Sequence, residues 1–229
     1  MRWLVIPMLA LAGCGRPELT VSVAASLHPA MEKIAARYGG KVQFNYGGSG
    51  ALARQIVNGA PVDVLVSAGP KPVDELSAKG LLRVRRDLLR NSVVLIASNG
   101  AVTSWESLTG VQHIAIGDPE SVPAGDYARQ ALRALGLWDR LQSKLILDQD
   151  VRQVLTHVAS GNADAGIVYS TDATSEPKVR TVATADVAAV YPLAVLKTAR
   201  KEADAFAAFL GGAEARAIFE AYGFTVIAP

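Results

Sequence analysis

Four short segments combine serine, glycine and helix-opening residues as an anion site built from backbone amides would require. Ala24-Ala25-Ser26-Leu27 and Gly47-Gly48-Ser49-Gly50 each follow an alternating apolar run and lead into a 3.6-residue period. Val122-Pro123-Ala124-Gly125 and Asp150-Val151-Arg152 each open a further helical stretch. A turn of this kind leaves N–H groups unpaired at the positive end of a helix dipole, and Ser or Gly lets a ligand approach closely. Converging on one crevice, the four would hold an anion without lysine or arginine. Each serine taken singly reads equally as a helix cap, so the inference rests on the set.

Other chemistries fail on spacing. His28, His113 and His157 are far apart and form no metal-binding pattern. Gly47-Gly48-Ser49-Gly50-Ala51 breaks the nucleophile-elbow pattern G-x-S-x-G at Ala51, and no phosphate-cradling G-x-x-x-x-G-K-[ST] occurs. Gly48–Ala53 satisfies the dinucleotide fingerprint G-x-G-x-x-A, but it follows the second strand, and Asp63 comes too early and before its own strand. Asp148 and Asp150 lack the Gly/Glu continuation of a calcium loop and are expected to precede and cap the helix near Val151. No cofactor is implied, and no cation.

Stepping from these residues to the whole chain, 229 residues are 50% hydrophobic and 19% charged, enough for a large core. With 23 basic and 21 acidic side chains the net charge is +2, which argues against a nucleic-acid surface or a polybasic membrane patch. The single cysteine excludes an intramolecular disulfide framework and a thiolate zinc cluster.

That cysteine is placed tellingly. Arg2 precedes an apolar run from Trp3 to Ala12, and small residues follow, the layout of a signal peptide over residues 1–13. Leu11-Ala12-Gly13-Cys14 resembles a bacterial lipobox, which makes Cys14 the lipidated first residue of the mature chain and 14–18 an anchor linker. The mature protein is then expected outside the cytoplasm, in the periplasm or on the extracellular face.

Beyond Arg16, alternating runs at Leu19–Val23 and Val42–Tyr46, and apolar runs at Val62–Val66, Val93–Ala97, His113–Ile116, Leu145–Leu147 and Ala165–Val168, predict strands. Between them Met31, Ile34, Ala35 and Tyr38 share a helical face, as do Val151, Val154, Leu155, Val158 and Ala159, and later Ala203, Phe206, Ala207 and Leu210. The alternation predicts an α/β fold with mostly parallel sheets covered by helices. The length allows one large domain or two small lobes; if there are two, no linker separates them and they must be joined by strands, with Ser92–Ala97 and Val190–Leu196 as the candidate crossings.

At its turns the sequence resembles the periplasmic molybdate-binding (ModA-like) family of ABC-importer solute receptors. The resemblance runs through VSVAASL (21–27), FNYGGSGALARQIVNGAPVDVLVSA (44–68), NSVVLIAS (91–98), IAIGDPESVPAGDYARQAL (114–132), DVRQVLTHVASGNADAGIVYSTDA (150–173) and IFEAYGFTV (218–226). It implies a two-lobed type II periplasmic binding protein, each lobe a mixed, mostly parallel sheet flanked by helices. Lobe I would be 19–93 with 194–229, and lobe II 94–193. It further implies that Ser26 and Ser49 donate from one lobe, that the amides of Ala124 and Val151 donate from the other, and that the Tyr169 hydroxyl completes a shell around molybdate or tungstate. An ABC permease with its ATPase would be the partner, and the receptor a monomer. The chain departs from the family where an Asp is common after the Ser-Ala pair, since Gly69-Pro70 follows Ser67-Ala68.

A shell of donors alone would disfavour protonated anions, whose O–H would find no acceptor. With no shell group titrating near neutrality, affinity is expected to be flat between about pH 6 and 8. The alternatives are a receptor for another oxyanion such as sulfate, and an exported hydrolase or transferase using the same crevice, which would need a nucleophile with a base in reach.

Overall fold

The computed structural model describes residues 18–227; the segment expected to be a signal peptide, and Cys14, lie outside the described residues. In chain order the elements are β1 (Leu19–Ala24), α1 (His28–Tyr38), β2 (Val42–Gly47), α2 (Ser49–Val57), β3 (Val64–Val66), α3 (Pro70–Ala78), β4 (Leu82–Ala97), β5 (Ile114–Gly117) and α4 (Pro123–Ala134). There follow α5 (Trp138–Leu141), β6 (Leu145–Asp148), α6 (Val151–Ala159), β7 (Ala165–Tyr169), α7 (Ser170–Thr174), β8 (Arg180–Leu196), α8 (Glu202–Leu210), α9 (Ala213–Ala221) and β9 (Thr225–Val226).

The strands run in the order β2-β1-β3-β8-β4-β7-β5-β6, with β9 on β4. At one end β1 pairs parallel with both β2 and β3; at the other β5 pairs parallel with both β6 and β7. The long strands β4 and β8 pair antiparallel with each other through the middle and complete both ends. The fold is thus α/β, each half a parallel triplet finished by an antiparallel pair, with helices covering the faces. Strands buried on both faces read as nearly continuous apolar runs, as β5 and β7 do.

The crossings differ from expectation in length. The strand predicted at Val93–Ala97 starts at Leu82, and the apolar run at Val190–Leu196 is the end of a strand starting at Arg180. The added parts alternate exposed with half-buried residues, so Arg83, Arg85 and Asp87 face solvent while Val84 packs inward. Shifts of register between Asp87 and Leu89, and between Ser92 and Val94, bracket the stretch where the two strands pass from one half to the other.

Register sets where the turns lie. Ala24 is paired with Gly47 and Val23 with Val66, so β1, β2 and β3 end at one edge and their turns open side by side. Gly117 is likewise paired with Asp148, which brings the turns into α4 and α6 together in the other half. In an α/β sheet this carboxyl edge is where ligands bind.

Candidate functional site

The two sets of turns face each other across a narrow crevice. Ser26, Ser49, Ala124, Val151 and Tyr169, all five residues singled out from the sequence, line it together with Gly48, Ala68 and Asp150. The space between these walls is small. With the walls in this position there is room for about one water molecule.

The helix starts explain the donors. Asp150 caps α6: its Oδ1 accepts from the amides of Arg152 at 2.8 Å and Gln153 at 3.1 Å. The Val151 amide, one residue earlier, is left over. Pro123 at the first position of α4 has no N–H, so Ala124 carries the first free amide there. Both residues are buried, and neither amide has an acceptor among the described residues. Leaving such a donor unpaired costs about 1–3 kcal/mol, so two at one place call for a ligand or water. Asp148, expected to share the capping, instead has its Oδ2 3.1 Å from His157 Nδ1, and burial raises its pKa against the opposing pull of that histidine.

On the facing side, Ser49 Oγ accepts from the Ala68 amide at 3.0 Å, which leaves its own proton free for the crevice. The Tyr169 hydroxyl donates to the Ala68 carbonyl at 3.2 Å and so links the two halves. Burial raises the pKa of Tyr169 well above its ordinary value, so it stays a neutral phenol. Ser26 Oγ lies 3.1 Å from the hydroxyl of Tyr191, a fully buried residue on β8 that sequence reasoning missed. The expectation of donors alone needs amending, since the Ala68 carbonyl and the Asp150 carboxylate also line the wall. Both acceptors are already engaged by protein donors.

Small residues let the halves meet. A Cβ on Gly48 would stand 2.4 Å from the Gln149 carbonyl oxygen, and one on Gly50 2.3 Å from that of Ser121. The glycines that mimic a dinucleotide fingerprint therefore serve close approach between the halves. The same reason accounts for Gly69, where a Cβ would lie 2.7 Å from Pro123. An aspartate at that position would collide with the opposing helix start.

The crevice wall carries no histidine, lysine or arginine among the described residues, and no cluster there of three or more His, Cys, Asp or Glu could hold a metal ion. The wall is thus built mainly from helix starts of the two opposed halves, with Asp150 its one charged residue among those described. The sequence pattern of the bacterial extracellular solute-binding proteins matches residues 19–225. The chain belongs to that family. Its members are solute-binding receptors and not enzymes, which closes the hydrolase alternative. YvgL of Bacillus subtilis strain 168, provisionally named an ABC transporter substrate-binding lipoprotein, is 41% identical over 95% of this chain and 94% of its own length. The molybdate-binding protein ModA of Escherichia coli K12 is 40% identical over 91% of this chain and 89% of its own. The solved periplasmic molybdate-binding protein of Azotobacter vinelandii superimposes with a TM-score of 0.79 at 27% identity, covering 93% of this chain and all of that one. Within the solute-binding proteins this is a ModA-like substrate-binding protein of ABC importers, a class that works with permease and ATPase components. No described helix is long and apolar enough to cross a membrane.

Proposed function

We propose that this protein is the extracytoplasmic receptor that holds molybdate, or tungstate, between its lobes and delivers it to an ABC permease and its ATPase. Lobe I is 19–93 with 194–229, lobe II is 94–193, and Ser26, Ser49, Ala124, Val151 and Tyr169 form the shell. The observation that carries the reading is the pair of buried, unpaired amides at Ala124 and Val151 facing Ser26 and Ser49, the latter with its proton free to point inward. A dianion buried without a countercharge needs oriented dipoles, and each charge-assisted hydrogen bond contributes about 1.5–3 kcal/mol. The ModA name of the relative at 40% identity supports the choice of molybdate.

The walls stand too close for a five-atom tetrahedral anion, so entry requires the halves to part about the crossing strands and to settle around the guest. Tyr169 then turns its proton from the Ala68 carbonyl to the anion. Sulfate has the same charge and shape with shorter bonds, and only the width of the closed crevice can reject it. A lipid on Cys14 would hold the receptor, a monomer, at the periplasmic or extracellular membrane face.

A thermal-shift panel with molybdate, tungstate, sulfate, phosphate and ferric citrate tests the reading, because a ligand that binds only the folded form raises its melting temperature. Molybdate is expected to give a large rise and phosphate none. A rise with sulfate but not molybdate would replace molybdate by sulfate, and no rise with any tetrahedral anion would remove the proposal altogether.

A further inference from the structure

The Ser26 hydroxyl can serve an anion only if its proton points into the crevice, and a serine rotor has no inherent preference for doing so. A chain of buried groups behind Ser26 removes the choice. It begins at Asn91 on β4, whose Oδ1 accepts from the Ser92 backbone amide at 2.9 Å and from Ser170 Oγ at 2.8 Å. A backbone N–H can only donate, so the oxygen of the Asn91 side chain must face it. The two Nδ2 protons therefore point the other way, to Thr171 Oγ1 at 2.9 Å and to the Tyr191 hydroxyl at 3.4 Å.

Tyr191 must accept from that amide group and has one proton of its own. Its hydroxyl is fully buried, and Ser26 Oγ at 3.1 Å is the partner that meets it with hydrogen-bond geometry, while the nearby Tyr169 hydroxyl is engaged with the Ala68 carbonyl. The phenol proton goes to Ser26, and the serine proton is left for the crevice. We propose that Asn91 and Tyr191 are positioning residues, which pass the polarity of one backbone amide through a phenol to set Ser26 as an obligate donor to the bound anion. The proposal rests on the receptor reading above and deepens it. Neither residue lines the crevice, so neither touches the ligand. Both lie where β4 and β8 pass between the halves, Arg90 opposite Val190 and Leu89 opposite Tyr191, so the device sits on the segments that bend when the crevice opens. The Asn91–Tyr191 contact is long for a hydrogen bond, and its effect is one of direction.

The test is a double-mutant cycle of Tyr191→Phe and Ser26→Ala on the full chain, read by calorimetric titration with molybdate. Phenylalanine keeps the ring that packs edge-on against Tyr169 and Phe224, so the fold is retained, and the unliganded melting temperature verifies it. Tyr191→Phe alone should weaken binding about five- to tenfold, yet change affinity less than twofold once Ser26 is alanine. Asn91→Leu should act in the same direction and be silenced in the same way. Equal losses with and without Ser26 would make Tyr191 merely structural, and no loss in the presence of Ser26 would show that the serine needs no orienting partner. Either result overturns the relay while leaving the receptor standing. A wild-type chain that fails to bind molybdate, tungstate or sulfate would instead bring down the receptor reading, and the relay with it.

Discussion

The Gly50 amide donates to the Ser121 carbonyl at 3.0 Å, one helix start bonded to the turn that precedes the other. Gly50 lies within α2, where alanine is the better helix former, yet a Cβ there would stand 2.3 Å from the Ser121 oxygen. Gly50→Ala should therefore destabilise the close arrangement of the halves seen here, by more than the alanine gains as a helix former. Closure should suffer, with molybdate binding weakened tenfold or more. Titration calorimetry beside thermal unfolding reads both effects, and wild-type affinity in the variant would show that the halves bind their guest without this contact.

Ser49 serves two roles, and its truncation should register in both. The Ala68 amide that donates to Ser49 Oγ is buried, so Ser49→Ala leaves it unpaired at a cost of about 1–3 kcal/mol in stability. The crevice also loses a charge-assisted donor, which weakens anion binding about tenfold. Ser26→Ala should cost affinity with a smaller loss of stability, because the Tyr191 hydroxyl that loses its partner can rotate toward Tyr169, whereas the Ala68 amide is fixed. Chemical denaturation of both variants distinguishes them, and equal stability losses would mean that the Ser49–Ala68 bond carries little.

Much of this architecture could be read from residue order. The runs around Val21, Val64, Ile116 and Ile167 are apolar because their strands are buried on both faces, and the helices between them show their period plainly. The anion turns were visible as Ser, Gly and Pro at strand-to-helix junctions. The outer stretches of β4 and β8 were missed because charge on one face, at Arg83, Arg85 and Asp87, hides an alternation whose inward residues are few. Tyr191 was missed for a different reason. It acts on Ser26 from 165 residues away and sits in an ordinary apolar run, so only the pairing of the long strands reveals it. Gly48 and Gly50 satisfy the dinucleotide pattern, rejected on its position in the chain, because close approach is their role, with a second piece of backbone as the partner.

Asp172 sets a pH dependence of stability. It is 1% exposed, and neither carboxylate oxygen has a hydrogen-bond partner among the described residues. Burial lifts its pKa from 3.8 to about 7, against the pull of Arg152 and of the Tyr169 backbone, with Asp150 adding to the rise. A raised carboxyl pKa favours the protonated folded form. The benefit is complete below pH 3.8, declines as the unfolded chain ionises, and is gone above about pH 7, a swing of about 4 kcal/mol. The wild type should lose stability relative to Asp172→Asn as pH rises from 4 to 7, with no further change above. Urea unfolding of both proteins at each pH checks this, and parallel curves would exclude Asp172 as the source.

The same carboxyl should bend the affinity profile expected to be flat. Asp172 shares a small cavity with Ser26, walled by Arg152 from α6, Thr171 and Ser175, and by Tyr222 beyond α9. Its charge also reaches Tyr169 and Tyr191, raising the pKa of each beyond what burial does. Ionised, it opposes a dianion on the other side of Ser26; protonated, it does not. Affinity for molybdate should therefore be several-fold higher at pH 6 than at pH 8, with a proton taken up on binding at pH 8. Calorimetry in buffers of different ionisation enthalpy reads both quantities, and Asp172→Asn should flatten the profile. A slope that survives this substitution would exclude Asp172 as its source and point to Asp148 at the end of β6, whose carboxyl pKa burial also raises.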